Sequence, residues 1–210
     1  MQGEQGGRQG GDAGSGSKDP VTRMPLSQEA LEAARRREPD ALAELFESCF
    51  SRVYSLAYRL TGEHGTAEDV AQDVFLKVHN AAHQIDPSRD IEPWLTAITY
   101  NACREHWRSR GHRLFSRSVS LNGTGGQKAT PVNGRKDPEL ATESAEQEKL
   151  VMKALMKLPE PMRVVVVLHD YQGISHDEIA RLTKTRHSAV RKRYSRALAR
   201  LRNELKDFLR

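Results

Sequence analysis

An all-α chain, two small helical domains joined by a flexible linker, is the fold class the sequence predicts, with a helix-turn-helix in the second domain. Three observations carry it. Aromatic residues make up only 6% of the 210 residues, and alternating Val/Ile/Thr-rich runs are nearly absent, so the signature of half-buried strands is missing. Apolar residues recur at helical spacing on both sides of a Gly-, Asn- and Pro-containing break at 111–138. Charged residues are 29% and hydrophobic residues 37%, which suits small bundles better than one large core.

Residues 1–25 are Gly- and Gln-rich, cannot bury apolar surface, and are expected to form a disordered tail. The first domain, 26–110, opens with a short helix from Gln28 to Arg37, ended by Pro39. The next helix runs from about Asp40 to Leu60. Leu42, Leu45, Phe46, Cys49, Val53, Ala57 and Leu60 form its apolar stripe, and Gly62 stops it. A third helix is expected to start at Thr66, which has capping-box spacing to Asp69. Ala67, Val70, Ala71, Val74, Phe75 and Val78 make its inward stripe, and the opposite face carries Asp69, Gln72, Asp73 and Leu76. Acids favour a helix N-terminus and so explain part of that face. A leucine among acids and amides fits a protein-binding patch instead.

The segment "IDPSRDIEP" reads as a loop, with Pro93 in the first turn of a fourth helix. There Trp94, Leu95, Ile98 and Ala102 share one face. Ala97, Asn101, Arg104 and Arg108 share another, with Tyr100 and Trp107 beside it. Two readings fit this second face. Cations and flat rings suit the phosphates and bases of single-stranded nucleic acid. Alternatively, the rings pack on neighbouring helices and the arginines are solvated.

The second domain, 139–210, begins with a helix from about Ser144 to Lys157, broken by "LPEPMR". Four consecutive valines in "MRVVVVLHDYQG" favour a strand by propensity, but no partner strand is nearby. Packing among helices overrides propensity, and the segment is expected as a helix ended by Gly173. Ser175 caps the next helix, with Glu178 at the capping-box position, and Ile179, Ala180 and Leu182 point inward. After a short turn the last helix carries Val190, Tyr194, Ala197, Leu198, Leu201 and Leu205. Two helices joined by a short turn, the second basic outside, form a helix-turn-helix pattern.

The net charge is +5 and the charges are segregated. From Arg181 to Lys206 only Glu204 opposes ten Lys and Arg residues, whereas acids gather at Glu68, Asp69 and Asp73 and from Asp137 to Glu148. Different faces therefore suit different partners, one of them anionic. Cys49 and Cys103 are far apart in sequence and read as buried thiols in a reducing compartment. No run is long and apolar enough to insert in a membrane, and no signal-peptide core is visible, so a cytoplasmic location is expected. No metal-ligand cluster, nucleophile–base pair or phosphate loop marks an enzyme, so no catalytic residue, metal or cofactor is expected. His169 and His176 flank a helix end and read as structural.

The chain from about Asp40 to Leu205, the linker excepted, resembles the extracytoplasmic-function sigma factors. Four segments carry the resemblance: "AEDVAQDVFLKV", "WLTAITYN", "ALMKLPEPMRVVVVLHDYQGISHDEIA" and "RYSRALARLR". It implies that the first domain docks on the clamp helices of RNA polymerase through Asp69, Gln72, Asp73 and Leu76. It implies that the same domain opens the minus-ten promoter element and holds a flipped base, with Arg89 in the loop Ile85 to Ile91 and Asn101, Arg104 and Arg108 on the following helix. The second domain would read the minus-thirty-five element in duplex DNA through Arg186, Ser188, Arg191, Lys192, Ser195 and Arg196, supported by the polymerase flap. Members are commonly held inactive by an anti-sigma factor, which makes one a candidate partner.

The chain departs from that pattern at Lys184 and Arg186, where the family usually has Gly and Ser, and at Ala189, where it has Thr. Lys184 must then carry any positive φ, and the cap of the last helix passes to Thr185 or Ser188. The loop "IDPSRD" departs as well. A stand-alone helix-turn-helix transcription regulator is the alternative reading, and it has no need of the acidic face.

Overall fold

The computed structural model describes residues 26–119 and 142–206, with side chains described over 26–109 and 146–206. The expected tail at 1–25 and most of the expected linker lie outside the described residues. Within them the regular elements are all helical, in the order α1 (Gln28–Arg35), α2 (Pro39–Thr61), α3 (His64–Asn80), α4 (Glu92–Val119), α5 (Thr142–Lys157), α6 (Glu160–Val166), α7 (His176–Thr183) and α8 (His187–Glu204). A 3-10 turn at Ala82–Gln84 follows α3, and a π-helical turn at Val167–Tyr171 extends α6.

Local chemistry accounts for most boundaries. Ser27 caps α1 by accepting from the Ala30 N–H at 3.1 Å. Pro39 does not end α1. It opens α2, where a missing N–H costs nothing, and α1 ends earlier, in a chain reversal at Arg37 with φ 63°. Gly62 ends α2 in the left-handed region at φ 77°, as its position after the stripe predicts.

α3 starts at His64 rather than Thr66. Thr66 is buried and its hydroxyl donates back to Glu63 Oε2 at 2.9 Å, so no Thr66–Asp69 box forms. The early start is held by tertiary contact, since the His64 ring stacks on Tyr58 of α2 at 4.2 Å and its Nδ1 bonds the Tyr54 hydroxyl.

The four-valine segment is helical, as expected. Val164 to Leu168 are all buried, so packing on every side outweighs β-propensity. The π turn carries the helix on to Tyr171, and Gly173, with φ 67°, follows its end.

α2 is the centre of the first half and packs against α1, α3 and α4. In the second half α6 packs on α8, and α7 packs on α8 and the π turn. The two halves share one hydrophobic cluster, which runs from Leu42, Leu56 and Val74 to Leu155, Val165 and Val190. Cys49 and Cys103 lie inside it, and burial pushes both thiols up to about 12, which keeps them protonated and unreactive.

Candidate functional surfaces

The outward face of α3 is built as the inward stripe demands. Ala67, Val70, Ala71, Val74 and Val78 are at most 1% exposed, so helical geometry turns Asp69, Gln72, Asp73 and Leu76 to solvent. Leu76 is 65% exposed, and in the described residues only Phe50 and Leu198 are comparable large apolar side chains. Phe50 of α2 belongs to the same neighbourhood. Its ring stacks on Phe75, the residue before Leu76, and on Tyr54, both at 6.0 Å. Phe50 was not among the residues expected in this patch. Its signal was the aromatic run Phe46, Phe50, Tyr54 and Tyr58 at four-residue spacing, which places a ridge of rings along α2.

Along α4 the two open readings separate. Tyr100 is only 6% exposed and Trp107 packs against the core, so both rings serve packing. Asn101 and Arg104 are half-buried, and Arg108 is exposed. Arg104 Nε is buried with no hydrogen-bond partner. The loop before α4 is folded by its own side chains. Asp86 accepts from the Ser88 N–H and hydroxyl, and its carboxylate pairs with exposed Arg89 at 3.1 Å. Those Ser88 bonds hold the Asp86 carboxyl below its ordinary value. Asp90 accepts from the Glu92 N–H at 2.9 Å and so caps the start of α4. Arg52 pairs with Glu92 beneath that start.

In the second half the expected cap of α7 is present in full. Glu178 N–H donates to Ser175 Oγ at 3.3 Å and the Ser175 N–H donates to Glu178 Oε2 at 3.1 Å. Lys184 takes the left-handed turn position, φ 53° and ψ 43°. Arg186 occupies the N-cap of α8 with no side-chain cap bond, and neither Thr185 nor Ser188 replaces it. Thr185 instead bonds Thr183 at 3.0 Å between hydroxyls. Val190 and Ala197 are fully buried, which turns Arg186, Ser188, Arg191, Lys192, Ser195 and Arg196 outward, all exposed. Leu198, expected with the apolar residues of this helix, is 40% exposed.

The described residues contain no group of three or more His, Cys, Asp or Glu able to hold a metal, and no helix long and apolar enough to cross a membrane. What the surfaces offer is binding. One half carries an acidic face with an apolar centre, and the other a helix whose outward face is basic.

A two-part helical architecture with a basic second helix in a terminal helix-turn-helix defines a class of DNA-binding proteins. Residues 45–113 match the family model described as Sigma-70 region 2, and residues 148–201 that described as Sigma-70, region 4. The chain belongs to the sigma-70 family and is of its extracytoplasmic-function type.

The chain is 31% identical over 167 residues to the ECF RNA polymerase sigma factor SigE of Mycolicibacterium smegmatis, covering 79% of this chain and 60% of that one. It is 30% identical to the probable RNA polymerase sigma factor RfaY of Xanthomonas campestris, covering 79% of this chain but only 40% of that longer protein. With the ECF sigma factor SigW of Bacillus subtilis, identity is 26% and coverage 87% and 98%. Among solved structures, CnrH in complex with the cytosolic domain of CnrY shares the fold at TM-score 0.57 and 22% identity, covering 86% and 97% of the two chains. The sigma factor RpoE of Bartonella quintana, in complex with the anti-sigma factor NepR, also scores 0.57 at 22% identity, covering 75% and 91%.

Proposed function

We propose that this chain is a promoter-recognition factor. It binds core RNA polymerase, recognises promoter DNA with both halves, and helps open it to initiate transcription, with no catalytic activity of its own. The carrying observation is that α3 and α8 present opposite chemistry on separate exposed faces, at the positions where the two sigma-70 regions match. Asp69, Gln72, Asp73 and Leu76 dock on the polymerase clamp, and Phe50 extends that patch. Arg89, Asn101, Arg104 and Arg108 lie on the minus-ten side, where the half-buried Arg104 has its Nε without a hydrogen-bond partner within the protein. Arg186, Ser188, Arg191, Lys192, Ser195 and Arg196 read the minus-thirty-five element in the major groove. The work is done in the cytoplasm, on polymerase. An anti-sigma factor is a further expected partner, since a sigma factor of this fold has been solved with one bound.

The test is reconstitution. Purified chain added to core polymerase is expected to start transcription at specific sites across a genomic promoter screen, and no gain in specific initiation sinks the reading. The stand-alone regulator reading is separated by replacing Asp73 and Leu76 with alanine. The sigma reading expects polymerase affinity to fall by about 1–2 kcal/mol with duplex binding spared. A regulator would lose neither.

A further inference from the structure

Three histidines outside the proposed contact set converge on the recognition helix. His169 lies in the π turn after α6, His176 is the first residue of α7, and His187 the first of α8. The His169 and His176 ring centres are 4.3 Å apart, and His187 is 6.3 Å from His176. Tyr194 of α8 meets both inner rings, His169 edge-on at 4.9 Å and His176 at 5.0 Å. The Tyr194 hydroxyl donates to Asp170 Oδ1 at 2.7 Å. Beside the buried Val190 and Ala197, Tyr194 thus ties α8 to the π turn and to the start of α7.

The surroundings of His176 suit an uncharged ring. His169 Nδ1 lies 2.8 Å from the Ile174 carbonyl oxygen and donates to it. His176 Nε2 is buried with no hydrogen-bond partner, so a proton there finds no acceptor. The groups facing His176 are His169 and Asp170 from the π turn and His187, Arg191 and Tyr194 from α8. Asp177, next along α7, is turned to His187, 3.7 Å from its Nε2. Burial first, then His169, His187 and Arg191, pull the His176 imidazole below its ordinary value against Asp170. A histidine depressed in this way leaves the fold stable above the ordinary imidazole range. Stability is lost as pH falls through that range, because the unfolded chain takes up the proton first.

We propose that His169, His176 and His187 are positioning residues for DNA reading: α8 is held in its reading orientation only while His176 is unprotonated, so acidification releases the second domain from duplex DNA. This rests on the reading of α8 as the duplex-contacting helix. The direction is opposite to simple electrostatics, in which added imidazolium charge strengthens binding to phosphates.

The full chain selects duplexes from a random pool at pH 7.5, and affinity is then followed down to pH 5.5. One linked proton lowers affinity by up to about tenfold per pH unit below its uptake. The wild-type chain is expected to show that fall, and His176→Phe, which keeps a ring but cannot be protonated, to lose it. His187→Gln removes one repelling imidazole and is expected to move the fall to higher pH; it carries the test alone if His176→Phe does not fold. Imidazole and α8 amide resonances are followed in parallel. The same pH profile in the wild-type chain and the variants, or α8 amides that stay still as His176 titrates, overturns the gate. Failure to select any duplex at pH 7.5 sinks the reading of α8 itself, and the amide resonances still report whether the helix follows the histidine.

Discussion

Lys184 and Arg186 bracket the turn before the recognition helix, and each occupies a position that other residues fill at lower free energy. Lys184 sits at φ 53°, where a Cβ costs about 1–2 kcal/mol and glycine costs none of that strain. Glycine also loosens the unfolded chain, so Lys184→Gly is expected to raise stability by up to about 1 kcal/mol, read from the denaturant midpoint. Arg186→Ser places a hydroxyl at an N-cap that now has no side-chain bond, which is worth about 1 kcal/mol. The same change removes a cation from the proposed duplex-reading face. Stability is therefore expected to rise while duplex affinity falls, and a variant that gains both shows that Arg186 makes no contact. Arg191→Ala is expected to cost roughly 1–3 kcal/mol and relax sequence preference if the guanidinium reads a guanine. A loss uniform across sequences reassigns it to phosphate.

At the scale of the element, sequence was most dependable where the signal is local. The Ser175–Glu178 box formed as spacing predicted, because both partners lie within one turn and need nothing from the rest of the chain. Its bonds to Ser175 hold the Glu178 carboxyl below its ordinary value. A depressed carboxyl contributes stability that is present above its unfolded value and lost as pH falls through the carboxylate range. Glu178→Gln is expected to flatten that acid-side loss, measured as thermal midpoint against pH in the range below 5. Where boundaries depend on a neighbouring element, spacing misplaced them. Thr66 looked like a cap, but the stacking of His64 on α2 lengthened α3 toward its N-terminus and buried Thr66. In α4 the pattern left Tyr100 and Trp107 between base stacking and packing, since an aromatic at helical spacing serves either. Only the neighbouring helices decided for packing.

At the scale of the whole molecule, the two halves meet through contacts that no motif announces. The Arg59 guanidinium lies 4.5 Å from the centre of the Tyr171 ring. Gly62 and Met156 are closer still. A Cβ built on Gly62 would fall 2.1 Å from Met156 Sδ, and φ there is 77°. Gly62→Ala is expected to cost about 1–3 kcal/mol, from left-handed strain plus displacement of Met156. Pairing it with Met156→Ala in a double-mutant cycle separates the two terms, since only the steric one disappears with the methionine. A cavity of about 450 Å³ also lies between the halves, lined by Arg52, Glu92 and Thr96 on one side and Gln172, Glu178 and Arg181 on the other.

The sequence by itself determined the helical class, the inward stripes of α2 and α3, the capped start of α7, the charge on α8 and the family resemblance. All of these follow from residue type at fixed offsets within one element. The tertiary structure decided the start of α3, the burial of Tyr100, the place of Phe50 beside Leu76, and the meeting of His169, His176 and His187 around Tyr194. Those depend on which surfaces of different helices touch, and residues far apart in the chain carry no periodic signal that says so.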